Sequence, residues 1–332
     1  MSQSEQLHNL IVYLHRYVLP VFYLFGNLGN LSAALIFSRK SWRKNVCVFY
    51  FNMSLLFNTC YINSALLADI LTGFNIKPYD SNRVLCKFYS YISALCLILL
   101  PSTLILASID RLLISSQNVD ARLYSSRRLG YFTISLSTFF WFIFFIHIPI
   151  KVDIQKVNPS QRICFFDMSR WYLLFASYSS LIIHFLFCIL MIFLCMLTFQ
   201  NVRRIRAVPR PQHPQIRTMT KKDFQLLRCL FVHDIIYIVF TMGSSIYIVY
   251  EIATIHQTRQ PFEHALVNFI DHFNEFLHHI PYCINFYIYL IVSKTFRNAL
   301  KRMIYKKFGK DLPILHDEHV ELDVVVVNPI VQ

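Results

Sequence analysis

The chain has 332 residues, 55% of them hydrophobic and 16% aromatic, with a positive mean hydropathy and only 15% charged, a balance that excludes an ordinary soluble domain. Its formal net charge of +14 would suit a nucleic-acid binder. The Lys and Arg residues, however, fall in short stretches between apolar runs and form no single stripe, which is the positive-inside pattern of a polytopic membrane protein and leaves no nucleic-acid partner.

The first ten residues include Glu5 and His8 and lack the basic start and small-residue cleavage site of a signal peptide, so the first apolar helix is expected to act as its own signal. Seven apolar segments follow, at about 17–37, 46–71, 85–110, 129–150, 171–198, 226–250 and 265–292. Each suffices to cross roughly 30 Å of hydrocarbon at about 1.5 Å per residue. The connections after the first, third and fifth are basic, with Arg39, Lys40, Arg43 and Lys44, then Arg111, Arg122, Arg127 and Arg128, then Arg203, Arg204, Arg206, Lys221 and Lys222. The opposite loops are mixed, with Asp80, Asp153, Asp167, Glu251 and Glu263 among their cations. An odd helix count with that bias puts the amino terminus outside and the carboxyl terminus inside.

The expected architecture is an all-α membrane protein: a short extracellular amino terminus (1–16), a seven-transmembrane helix bundle (17–292), a short amphipathic eighth helix on the inner leaflet lipids (293–308) and a disordered cytoplasmic tail (309–332). The eighth helix is read from Phe296, Leu300, Met303, Ile304 and Phe308, spaced by three, four and one among basic residues, against the plainer alternative of a solvated basic tail. Pro209, Pro211 and Pro214 exclude a continuous helix through the third inner loop and predict a linker there.

Of nine cysteines, most lie within apolar runs, where a thiol behaves as a small hydrophobe. Cys86 and Cys164 fall on the outer, oxidising side, and a disulfide between them is expected. At the inner end of the third segment, Asp110 and Arg111 form a charged pair where the helix leaves the bilayer, with Arg111 facing the cytoplasm. In the outer half of the seventh segment, Asp271, Asn274, Glu275 and His278 recur at three and four, so they share one face turned into the bundle. They would offer acceptors to a cationic or amide-rich ligand, or else form an internal network with His184, His147 or Asn30. Tyr91 and neighbouring aromatics such as Tyr89, Trp171, Tyr172 and Phe175 either line that pocket or belong to an interfacial belt. Adjacent His278 and His279 point to different faces, so no metal site is expected. No cofactor is expected either.

Several motifs in order resemble the rhodopsin-like G protein-coupled receptors. They are Gly29-Asn30 in the first helix, Cys86 and Asp110-Arg111-Leu112 in the third, Trp141 and Pro149 in the fourth, Cys164 in the second outer loop, and Asn285-Phe286-Tyr287-Ile288-Tyr289 followed by Phe296. The last stretch, with Ser293-Lys294-Thr295-Phe296-Arg297, also resembles divergent invertebrate neuropeptide receptors of the FMRFamide-like kind. The resemblance implies a non-enzymatic plasma-membrane receptor that binds an extracellular ligand, here a small peptide, and activates a heterotrimeric G protein. It assigns Asp110, Arg111, Asn285 and Tyr289 to the inner activation switch. A chemosensory receptor of the same fold and a polytopic transporter are the alternatives. The seventh segment has no lysine, so it offers no Schiff base for a retinal.

Departures from the family pattern are as specific. Phe57 stands where the second helix would carry an Asp for a sodium ion, Phe286 replaces the seventh-helix proline, and Met242-Gly243 replaces the Trp-x-Pro kink of the sixth. Gly243 is then the place where the sixth helix is expected to bend, with Tyr237 or Phe240 as the toggle.

Overall fold

The computed structural model describes residues 3–116, 118–158, 161–167, 169–207, 220–254 and 260–307. The apolar segments become α1 (Gln3–Phe37), α2 (Val46–Gly73), α3 (Arg83–Ile114), α4 (Arg127–Lys151), α5 (Arg170–Ala207) and α6 (Lys221–Thr254). By length and composition, these six are the described helices able to cross a membrane. The seventh, α7, comes in two pieces, Pro261–Cys283 and Asn285–Val292, and its first piece carries Glu263, Asp271 and Glu275. It is shielded from lipid on its polar face by α1, α2 and α6, against which it packs. A final helix, α8, spans Lys294–Lys307. The tail from 309 and most of the proline-rich inner loop lie outside the described residues.

Polar caps set where the helices start. Asn45 accepts from the amide of Cys47, Asn82 from those of Val84 and Leu85, and Ser126 from that of Leu129. Thr220 and Asp223 cap one another's amides at the start of α6, and Gln260 with Glu263 forms a capping box on α7. α1 begins at Gln3, so most of the expected extracellular tail is helical; turns of π-helix interrupt α1 at Leu14–Val18 and α2 at Ile62–Leu66.

The one departure from all-α structure among the described residues is an antiparallel hairpin at the outer surface, β1 (Val152–Asn158) paired with β2 (Gln161–Phe166), with Ile154 opposite Cys164. The Cys86–Cys164 disulfide is formed and ties β2 to the start of α3, while the amide of Cys164 donates to Asp80 at 2.7 Å. Arg83 pairs with Asp153, and Lys151 with Asp167 at 3.1 Å, flanking the hairpin. Leu24, Leu28, Leu31 and Leu35 of α1 and Phe132, Leu136, Phe139 and Ile143 of α4 are exposed, as lipid-facing stripes must be.

Two interruptions inside the bundle are repaired by side chains. Pro101 lies within α3 and, lacking an N–H, frees the carbonyl of Leu97; the hydroxyl of Tyr282 from α7 donates to that carbonyl at 2.9 Å. Where α7 breaks at Ile284, the side-chain Nδ2 of Asn285 donates to the carbonyls of Pro281 and Tyr282, and Nδ2 of Asn30 also reaches the Tyr282 carbonyl. α6 runs as a helix straight through Gly243. The glycine also serves close packing: a Cβ there would meet Oδ1 of Asn274 at 2.7 Å.

Candidate functional site

The inner end of the bundle is organised around Arg111, whose side chain is wholly buried. Its Nη2 lies 2.6 Å and its Nε 3.2 Å from Oδ2 of Asp110, and its Nη1 donates to Oδ1 of Asp223 at 3.1 Å. Oδ1 of Asp110 accepts from Ser125 at 2.6 Å, and Oδ1 of Asp223 also accepts from Asn45 at 2.7 Å. A single guanidinium is thus clamped between carboxylates on α3 and α6. Removing one partner from such a buried group typically costs about 3–5 kcal/mol, because the remaining charge is left uncompensated. This corrects the expectation that Arg111 faces the cytoplasm: two carboxylates hold it turned inward and closed over.

Further contacts fasten the foot of α6. Lys222 donates to the carbonyl of Ser41 at 2.6 Å and sits 3.9 Å from the ring centre of Trp42. Gln225 accepts from the hydroxyl of Ser293 at 2.9 Å and the amide of Thr295 at 2.8 Å, binding α6 to the start of α8. Asn285 and Tyr289 are both buried beneath this layer. The Tyr289 ring packs against Phe37, Phe51, His233 and Phe296 at centroid distances of 4.9 to 5.5 Å, and its buried hydroxyl has no protein partner among the described residues.

At the outer end, a cavity of about 490 Å³ is lined by Asp271, Asn274, Glu275 and His278 together with Asp69, Tyr89, His184 and His279. The expected face of α7 therefore does turn into the bundle. Part of it meets an expected partner, His184, and the neighbouring His279 enters a network with partners that were not expected. His279 reaches Asp69 at 3.0 Å and the Tyr61 hydroxyl at 3.0 Å, and the His278 ring lies 6.2 Å from that of His184. Glu275 is 3.4 Å from His272, whereas no ion pair engages Asp271 among the described residues. Tyr91 is absent from the lining. Its hydroxyl donates to the carbonyl of Phe142 at 2.9 Å and its ring meets Phe142 edge-on, so it faces α4, while Tyr89, two residues away on the helix and roughly opposite it, faces the cavity. A second, mostly apolar cavity of about 390 Å³ adjoins the first through Ala94, Leu97, Phe166, Ser180, His184 and Ile248.

Between the two ends lies Asp234 on α6, fully buried, accepting from Ser108 of α3 at 3.1 Å and Cys195 of α5 at 3.2 Å. Phe57, at the position where an Asp would suit sodium, is buried next to Asn58.

Asp69, Asp223 and Asp234 were not singled out from the sequence. Asp69 and Asp234 each carried a signal, a carboxylate inside an apolar run, which a membrane tolerates only when it faces protein. Asp223 lay in the basic stretch just before the expected start of the sixth segment and looked like loop.

The family model for the 7 transmembrane receptor (rhodopsin family) matches residues 29–289. None of the curated proteins compared matches the chain.

Proposed function

Because the chain belongs to the rhodopsin family of seven-transmembrane receptors, we propose that it sits in the plasma membrane with its amino terminus outside, binds a small peptide in the outer cavity and activates a heterotrimeric G protein from its inner face. It is a multi-pass receptor and not an enzyme. The observation that carries the signalling half is the clamp of Arg111 between Asp110 and Asp223, a contact between α3 and α6 that has to break if the inner end is to open. Breaking it uncovers a guanidinium for the G protein and turns a buried charge pair into a partner contact.

The orientation is supported by the basic inner loops and by the Cys86–Cys164 bridge at the opposite end, which needs an oxidising compartment. The ligand class is supported by the lining: Asp69, Asp271, Glu275 and Asn274 supply acceptors suited to amide and cationic groups and ill suited to an apolar odorant.

The test is nucleotide exchange on a panel of G proteins, in membranes bearing the chain or its Arg111→Ala variant, with and without a peptide library. Peptide-stimulated exchange that requires Arg111 is the expected result. A surface-expressed chain that responds to no peptide with any G protein sinks the reading.

A further inference from the structure

The outer part of α1 carries His8, Ile11, Val12, His15 and Arg16 at spacings of three and four, which is one face of a helix. That face turns toward the outer ends of α2 and α7, with Ile11 and His15 buried. Gly73, the last residue of α2, permits the approach: a Cβ on it would lie 2.7 Å from Cβ of His15. Arg16 donates from Nε to the Gly73 carbonyl. Just beyond, Asn75 adopts a left-handed conformation with φ of 60°, turning the chain so that Lys77 comes back to the same place.

These segments and α7 enclose a pocket of about 280 Å³ whose lining includes His8, His15, Arg16, Lys77, Asn268 and His272. No carboxylate lines it, and neither Arg16 nor Lys77 forms an ion pair among the described residues. It lies at the end opposite the basic loops, where a membrane protein is poorest in Lys and Arg, so topology does not account for cations converging there from two segments.

Next to it is the outer cavity, of opposite character: Asp69, Asp271 and Glu275 line it, and no Lys or Arg does. One layer of side chains separates the two. Nδ1 of His15 lies 3.1 Å from the Asp69 carbonyl, the His15 ring meets that of His272 edge-on at 5.3 Å, and Nδ1 of His272 lies 3.4 Å from Oε2 of Glu275.

We propose that the small pocket receives a carboxylate of the same peptide whose cationic group enters the outer cavity, so that the ligand this chain selects is bipolar. The inference rests on the peptide reading above. Lys77 and Arg16 supply charge to a carboxylate, and the imidazoles and Asn268 supply N–H donors. A volume just under the usual range of whole small-molecule sites suits one group of a larger ligand. With both charges on one molecule, the second contact becomes intramolecular once the first has formed, which a singly charged peptide cannot match.

The experiment is affinity selection on the purified full chain in phosphatidylcholine nanodiscs, with empty nanodiscs as the blank. Three pentapeptide libraries with free amino termini are offered: one lacking Asp and Glu and ending in a carboxylate, the same library ending in an amide, and an amidated library containing Asp and Glu. Retention at least fivefold above the plain amidated library is expected for one or both of the others, and which one shows whether the carboxylate is terminal or a side chain. His8→Gln/Lys77→Gln, both at exposed positions, should bring that preference to within twofold of parity while selection for Lys and Arg persists. Asp271→Asn should do the converse, and Lys77→Arg should keep the preference within about twofold of the unaltered chain. Equal retention of the three libraries, or a preference that survives His8→Gln/Lys77→Gln, overturns the proposal. Cationic peptides retained without regard to a carboxylate would leave the peptide reading standing, whereas retention of no peptide would sink both.

Discussion

The hydroxyl of Tyr282 donates to the carbonyl of Leu97 at 2.9 Å, and that carbonyl is the one Pro101 leaves without a helical partner. One side chain of α7 thus repairs a gap in the backbone of α3. The Tyr282→Phe variant should lose about 1–2 kcal/mol of stability, since an unpaired carbonyl remains in an apolar interior. Thermal unfolding in nanodiscs reads this directly. In a Pro101→Ala background the helix can satisfy Leu97 itself, and the same change should then cost less than half as much; equal costs in both backgrounds would refute the coupling.

Asp223 ties α6 to Arg111 and Asn45 at once. Asp223→Asn keeps the side chain's size but removes the charge facing the guanidinium, and agonist-free nucleotide exchange is expected to rise roughly three- to tenfold, about 1 kcal/mol of resting preference. Gln225→Ala, which frees α8 from α6, should raise it by less. Unchanged exchange in a well-expressed Asp223→Asn receptor would mean that the clamp does not hold the resting state.

In the outer cavity, Asp271 faces the opening without an ion pair among the described residues, while Asp69 is engaged by His279. Asp271→Asn should weaken a cationic peptide roughly tenfold through the lost charge-assisted contact, with surface expression unchanged. Tyr91→Phe, which removes only a bond to the Phe142 carbonyl, should leave peptide affinity within about twofold. Competition binding on the two variants separates cavity from scaffold.

The hairpin at the outer mouth should be insensitive to mild acid. The Asp153 carboxyl lies below its ordinary range because the amide of Ile154 and then Arg83 hold its ionised form; the amide of Ser169 and then Lys151 do the same for Asp167. A depressed carboxyl contributes stability that is present above its unfolded value, about 3.9, and is lost as pH falls through the lower folded one. Hydrogen exchange of the amides of β1 and β2 should therefore be equally protected at pH 7 and pH 5, and should quicken only below about pH 4. Loss of protection between pH 7 and pH 5 would place the controlling groups elsewhere.

Much of this molecule is legible in its sequence because a bilayer leaves few choices. Apolar length and a pair of cysteines outside the apolar runs lead to the helices and the disulfide by simple physical rules. The polar face of α7 is readable for the same reason, since Asp271 and Glu275 cannot face lipid. Contacts between helices are another matter. That Arg111 would find Asp223, that Tyr89 and not Tyr91 would face the cavity, and that Tyr282 would serve Pro101 all depend on helix rotation and relative height. Periodicity leaves both open to within a turn. Gly243 is instructive in the same way: a glycine in a membrane helix permits a bend or a close neighbour, and that its neighbour is Asn274 depends on how the sixth and seventh helices are rotated.

The carboxylate of Asp223 divides its work between its two oxygens. Oδ1 receives Arg111 and Asn45, whereas Oδ2 receives the amide and hydroxyl of Thr220 and so caps its own helix. Losing the first set leaves the second intact. The foot of α6 can part from α3 with its first turn still wound, so opening the inner end need not cost any of the winding of this 34-residue helix.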